Sequence, residues 1–342
     1  MSIKAFYMVP HPPIAVHEIG RGEEEMIRPS LDSYDAVARD IAKIKPETII
    51  ITSPHQVLYS DYFHISPGRH ATGDFSSFRA PEVTFNVDYD EELVNKISEL
   101  CGLMNFPAGP DGERNPSLDH GVMVPLYFIN KYYTNYKLVR IGLSGLSLEA
   151  HYHFGELIAN AVQALGRSCV FVGSGDLSHC QKQDGPYGYK PEGPAYDEKL
   201  MDTMNRGAFK ELLNFDEVLL DKAEECGHRS FTIMGGAVGN DEVDITTLSH
   251  ESTFGVGYGF AIYHPKEKQM NKTESNDIYV NLAKMTIAEY ITDHKRLKVP
   301  DDLPDELTKT RAGAFVSIHE HGMLRGCIGT IGPVRDSLAE EI

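Results

Sequence analysis

A chain of 342 residues is long enough for one large α/β domain or for two domains, and its 41% hydrophobic and 24% charged content is that of an ordinary globular protein. Fifty acidic against 32 basic residues leave a formal net charge of −18, which argues against nucleic acid or an anionic membrane as the main partner. Five cysteines with no C-x-x-C pair, no apolar run of membrane length and no basic-then-apolar leader point to reduced thiols and a cytoplasmic protein.

Apolar runs alternate with helical patterns from the N-terminus to residue 265. Strands are expected at 5–9, 48–53, 137–144, 168–176, 244–251 and 256–263. Helices are expected near 29–44, 90–101, 121–131, 149–165, 195–211 and 215–224. This alternation implies an α/β fold with a central sheet, mostly parallel or mixed, flanked by helices. The polar stretch "HPKEKQMNKTESND" carries no apolar pattern, so residues 266–277 read as a linker between a first domain, 1–265, and a second, 278–342. The second holds a helix at 277–294, a Pro/Asp-rich loop and the runs "AGAFVSIHEHG" and "LRGCIGTIGP". It is too short for a generous core of its own, and it breaks off in the helical pattern "VRDSLAEEI", so a small, partial α+β domain is expected.

The chemistry-bearing residues gather at the ends of the expected strands. Strand 5–9 runs into Pro10-His11-Pro12, where the two prolines restrict the backbone and aim the imidazole. His55 follows strand 48–53, again directly after a proline. Asp176 ends strand 168–176, and His179 comes three residues later. His250 and Glu251 end strand 244–251, while His120, with Asp119 beside it as a cap or orienting carboxylate, opens the helix near 121–131. In open α/β sheets the functional cleft lies beyond the carboxyl ends of the strands, so these segments converge on one rim. Two imidazoles and a carboxylate form the ligand set of non-haem Fe(II) oxygenases, and they suit Zn(II) hydrolases equally. Cys180 and Cys226 are further soft ligands or nucleophiles by residue type, but neither has a neighbour in sequence that would activate it. His228 sits in a turn that could wall a pocket. The glycines of "GSGD" and "FGVGYG" lack dinucleotide or P-loop spacing, and "GLSGLS" is not a nucleophile elbow, so nucleotide binding and serine hydrolysis are set aside.

With these segments aligned, the first 265 residues resemble the class III extradiol dioxygenase superfamily, which includes protocatechuate dioxygenase catalytic subunits and Memo-like proteins. The resemblance rests on PHPP, SPH, LDHG-x-x-VPL, GSGDLSH, the EGP segment at Glu192–Asp197 and the closing E-x-x-FGVGY. The remainder, through its LRGCIGT core, resembles the A component of the AmmeMemoRadiSam system, in which such a domain, a Memo-like domain and a radical-SAM protein occur together.

The resemblance implies that His11, His55 and Glu251 bind a divalent metal, with His179 as the acid/base residue and His120 and Asp176 assisting it. It implies an Fe(II)-dependent ring-cleaving dioxygenase that takes O2 and a catechol- or aminophenol-like aromatic, and a homo-oligomer. Two other readings stand beside it: a metal-binding component working with a radical-SAM partner protein, and a Zn(II) hydrolase or lyase on the same scaffold. Tyr187, Tyr189, Glu192 and Tyr196 are expected as lid residues over the pocket.

Overall fold

The computed structural model describes residues 3–266, 277–300, 303–320 and 323–342, so nearly all of the expected linker lies outside the described residues. The chain divides into two compact units, Met1–Lys266 and Glu267–Ile342.

The first unit begins with β1 (Ile3–Val9), a short α1 (His17–Gly20), α2 (Arg28–Ile44) and β2 (Thr48–Ser53). A two-residue β3 (Phe63–His64) then leads into a hairpin of β4 (His70–Phe75) and β5 (Ala80–Asp88). Next come α3 (Glu91–Leu103), the short β6 (Ala108–Gly109), α4 (His120–Ile129), β7 (Lys137–Gly142), α5 (Leu148–Leu165) and β8 (Cys169–Ser174). The unit closes with α6 (Glu192–Asn205), α7 (Glu217–Ala223), α8 (His228–Val238), β9 (Val243–Glu251) and β10 (Tyr258–Pro265).

Six strands form the central sheet in the order β7-β2-β8-β1-β10-β9. The first four run parallel, and β10 is antiparallel to both β1 and β9, so the sheet is mixed. All of β2 and β8 and all but Lys4 of β1 are buried, as befits strands covered on both faces. Alternate residues feed the two halves of the core. Phe6, Met8, Ile50, Val139 and Phe171 pack with α3, α5, α6 and α8, whereas Tyr7, Val9, Ile49, Ile51 and Val172 pack with α2, α4 and the hairpin.

β8 lies between β2 and β1, and Val9 pairs with Ser174 while Thr52 pairs with Gly173. Three neighbouring strands therefore stop at one level, and the segments after them share one rim.

The second unit holds α9 (Ile278–Asp293), α10 (Asp305–Lys309), the antiparallel pair β11 (Phe315–Glu320) and β12 (Met323–Gly329), and a last turn, α11 (Leu338–Glu341). Its core is small: Leu282, Leu307 and Ala339 are its buried apolar residues among those described. The elements depart from the sequence reading in several places. The helix expected at 195–211 begins at Glu192 and stops at Asn205, followed by a 3-10 turn at Phe209–Asn214. The β4–β5 hairpin and α8 have no counterpart among the expected elements. Among the described residues no helix is long and apolar enough to cross a membrane.

Candidate metal centre

His11 leaves β1 on the proline-restricted turn and is 1% exposed. Its backbone N–H donates to Asp176 Oδ1 at 2.8 Å, which ties the end of β1 to the end of β8. Its ring is fixed just as firmly. Ser174 Oγ donates to the Gly121 carbonyl at 2.6 Å and so has only a lone pair for His11 Nδ1, 2.9 Å away. His11 must then carry its proton on Nδ1 and present a bare Nε2 to the rim.

Two groups face that nitrogen: His55 Nε2 at 2.9 Å and Cys226 Sγ at 3.6 Å. The donor atoms of His11, His55 and Cys226 all lie within 4.8 Å of one another. A second triple, Asp176, His179 and Cys226, meets the same limit and shares the thiol. The backbone N–H of Asp176 donates to Cys226 Sγ at 3.2 Å.

Glycine contact explains how a cysteine fifty residues beyond β8 reaches this rim. A Cβ on Gly175 would lie 2.1 Å from Gly227 Cα, so the "GSGD" and "ECGH" segments touch backbone to backbone. Similarly, a Cβ on Gly121 would lie 2.3 Å from Ser53 Oγ, and its absence lets the start of α4 close on the end of β2. Ser53 Oγ donates to Asp119 Oδ1 at 2.5 Å and accepts the His55 N–H at 3.2 Å. Asp119 in turn takes the buried Arg140 guanidinium at 2.9 Å. Asp119 is thus an orienting carboxylate rather than a side-chain cap for α4.

His120 lies against His55, ring centroids 3.8 Å apart, and 5.5 Å from His11. Burial lowers the pKa of all four imidazoles, and for His11, His120 and His179 neighbouring rings add to it. His11 is held well below its ordinary value by burial and then by His55, His120 and His179. His120 is lowered to about 4 by burial and His55. His55 is lowered by burial against the pull of Asp119, and His179 by burial and His55. Burial also raises the Asp176 carboxyl to about 7 and holds the Cys226 thiol well above its usual value. Burial therefore favours the uncharged forms of these donors, and a bound cation would offset that penalty. Its donor set of two imidazoles and a thiol fits a first-row metal.

The sequence reading placed Glu251 in this set, and the structure does not bring it there. The Glu251 carboxylate lies at the N-terminus of α2, accepting Ser30 N at 3.0 Å, Ser30 Oγ at 2.6 Å and Thr253 Oγ1 at 2.7 Å. Unpaired amides and the positive end of the helix dipole draw a carboxylate to that position. His250 beside it pairs with Asp197 at 3.1 Å. Cys226, which sequence reasoning left without a partner, lies beside His11 and His55 as a third donor that could meet a metal, and the small residues on both sides of the Gly175–Gly227 contact are the signal that could have found it.

His11, His55, His120, Asp176 and His179 do converge. Of the expected lid residues, Tyr187 lies with its ring 4.9 Å from His179 and is exposed, and Tyr189 is exposed as well. Tyr196 is not a lid residue: it is fully buried on α6 and near His228, which itself is buried and donates to the Leu212 carbonyl. Glu192 is likewise no lid residue, pairing with Lys222 at the start of α6.

A family model described as the catalytic LigB subunit of aromatic ring-opening dioxygenase matches residues 5–261, and an AMMECR1 model matches residues 280–342. Protein CA_C1420 of Clostridium acetobutylicum is 40% identical over an alignment that covers all of this chain and 78% of that protein. A Thermotoga maritima protein is 46% identical over 65 residues, 19% of this chain and 37% of its own length. Among solved structures, the uncharacterized protein JW3007 from Escherichia coli K12 superposes with a TM-score of 0.53 at 13% identity, covering 76% of this chain and 99% of that one; this likeness bears on the fold alone.

Proposed function

This chain belongs to the LigB family, with an AMMECR1 segment after the LigB domain, and from that premise we propose that its first unit is a metal-dependent oxidoreductase opening the ring of a catechol- or aminophenol-like aromatic with O2. The observation that carries this reading is the convergence of His11 and His55 with His120, Asp176 and His179 on the rim where three adjacent strands end. Fe(II) is the working metal of this reading. Its role when bound is to relay electrons between the aromatic and O2.

The chain's own residues do the rest. Ser174 keeps the His11 Nδ1 proton away from the rim, so that Nε2 serves as a ligand. His179, neutral through burial, accepts a hydroxyl proton from the substrate and returns it after ring opening. His120, with its pKa lowered to about 4, stays neutral and acts as an acceptor beside His55. Both atoms of O2 enter the product, so the reaction needs no external reductant.

A second reading is favoured by one observation, the thiol in the ligand set. Thiolate suits softer or redox-silent metals, Zn(II) among them, and is not part of the two-histidine, one-carboxylate set of Fe(II) oxygenases. With the AMMECR1 segment on the same chain, this supports a metal-binding component that works with a radical-SAM partner, or a Zn(II) hydrolase or lyase. O2 uptake by anaerobically purified, iron-loaded protein over a panel of catechols and aminophenols separates the readings. Substrate-dependent uptake supports the oxygenase. No uptake across the panel, with metal bound, moves the assignment to the second reading.

A further inference from the structure

Two aromatic rings meet the metal centre from two different segments. Tyr187 sits at the third position of a tight turn, Gly185-Pro186-Tyr187-Gly188, closed by a hydrogen bond from Gly188 N to Gly185 O at 3.2 Å. Gly188 has φ +75°, and Gly185 packs on Gly255, so the turn is stiffened at both ends. The tyrosine ring covers His179 at 4.9 Å with the planes 32° apart, yet the residue is 54% exposed. A rigid turn is here presenting apolar ring surface to water.

Phe78, partly buried, approaches the site from a second segment. It ends a 3-10 turn joining β4 to β5, set by Asp74 Oδ1 accepting Ser76 N at 2.7 Å and by Arg79 at φ +64°. Its ring rests on the fully buried Phe75 and meets His120 edge-on at 5.2 Å. His120 in turn stacks on His55. One ring thus lies against His120, the neighbour of His55, and the other against His179.

We infer that Phe78 and Tyr187 are aromatic walls that select a flat ring with adjacent oxygens over aliphatic chelators of the same metal. This inference rests on the functional reading above. A chelating ligand is held at the metal by its two oxygens whatever else it carries. Only a planar π-face gains from two further rings, so the walls add selectivity rather than metal affinity.

The test uses Zn(II)-loaded protein, in which catechol binds without turnover, and compares catechol with acetohydroxamate, a chelator without a ring. Titration calorimetry gives both dissociation constants for wild type, Phe78→Ala, Tyr187→Ala, the double variant and Tyr187→Phe. Each alanine is expected to weaken catechol about fivefold and the pair more than tenfold, in keeping with an aromatic contact. Acetohydroxamate affinity and zinc content should stay within about twofold, and Tyr187→Phe should bind catechol like wild type. Catechol affinity unchanged in the double variant, or equal losses for both ligands, overturns the inference while leaving the functional reading standing. Wild type that holds zinc and takes no catechol also overturns the inference, and wild type that holds neither zinc nor iron overturns the functional reading with it.

Discussion

Ser174 accepts the Nδ1 proton of His11 at 2.9 Å while giving its own proton to the Gly121 carbonyl. This one buried hydroxyl decides which nitrogen of His11 faces the rim. Removing it frees the ring to flip or to change tautomer without opening a large cavity. Ser174→Ala should therefore lower metal affinity by about 10- to 100-fold with little change in unfolding midpoint. Competition titration against a chelator measures it, and an unchanged affinity would show that the ring is oriented by something else.

The Gly175–Gly227 contact makes a second, independent prediction. A Cβ on Gly175 collides with the Gly227 backbone at 2.1 Å, and one on Gly227 with the buried Phe231 ring at 2.6 Å and the Asp176 carbonyl at 2.9 Å. Gly175→Ala should cost about 3 kcal/mol of stability, at the upper end of overpacking penalties, and should move Cys226 off the rim. The discriminating measurement is metal content of the folded variant beside a urea titration. A variant as stable as wild type with full metal content would refute the close approach.

Much of the fold can be read from the sequence because the parallel strands are buried on both faces, and β1, β2 and β8 appear as uninterrupted apolar runs. The donors that end them, His11, His55, Asp176 and His179, are legible for the same reason, since the position of a strand end places its next residue. α8 is not legible. Gly235-Gly236 in its last turns reads as a break, whereas Gly236 and Gly155 allow α8 to cross α5 closely: a Cβ on Gly236 would lie 1.8 Å from the Tyr152 carbonyl and one on Gly155 2.0 Å from the Ile233 carbonyl. Cys226 stands just before that helix, on no strand end and beside no patterned element, and is hidden with it. Glu251 misleads because a carboxylate at a strand end looks alike whether it serves a metal or a helix N-terminus.

His151 gives the molecule a pH dependence outside the metal centre. It is fully buried, donates from Nδ1 to the Ser147 carbonyl at 2.8 Å, and accepts Ser144 N at Nε2, 3.4 Å away. A second proton would set an N–H against that amide, and burial lowers the pKa from 6.5 to about 4. The folded pKa lies below the unfolded one, so the unfolded chain takes the proton first. The neutral ring's contribution is complete above pH 6.5 and is lost as pH falls toward 4. Between pH 7 and 4.5, wild type should lose about 2 kcal/mol more stability than His151→Gln, read by urea unfolding at both values. Parallel losses in the two proteins would remove His151 as the cause.

The buried Arg140–Asp119 pair links stability to the site, because Asp119 also receives Ser53, which holds the His55 backbone. Arg140→Met leaves the carboxylate without its cation and should destabilise by about 3–5 kcal/mol. Arg140→Met with Asp119→Asn should recover part of that loss, which a double-mutant cycle on unfolding free energies checks. No recovery would mean that the two residues act separately.

A metal held by His11, His55 and Cys226, and not by Glu251, is the arrangement that the site geometry favours. The most direct measurement is the metal-to-protein ratio, by inductively coupled plasma mass spectrometry, of anaerobically purified wild type, Cys226→Ala and Glu251→Gln. A stoichiometric metal is expected in wild type and in Glu251→Gln, and its loss in Cys226→Ala. Metal kept by Cys226→Ala and lost from Glu251→Gln would contradict it.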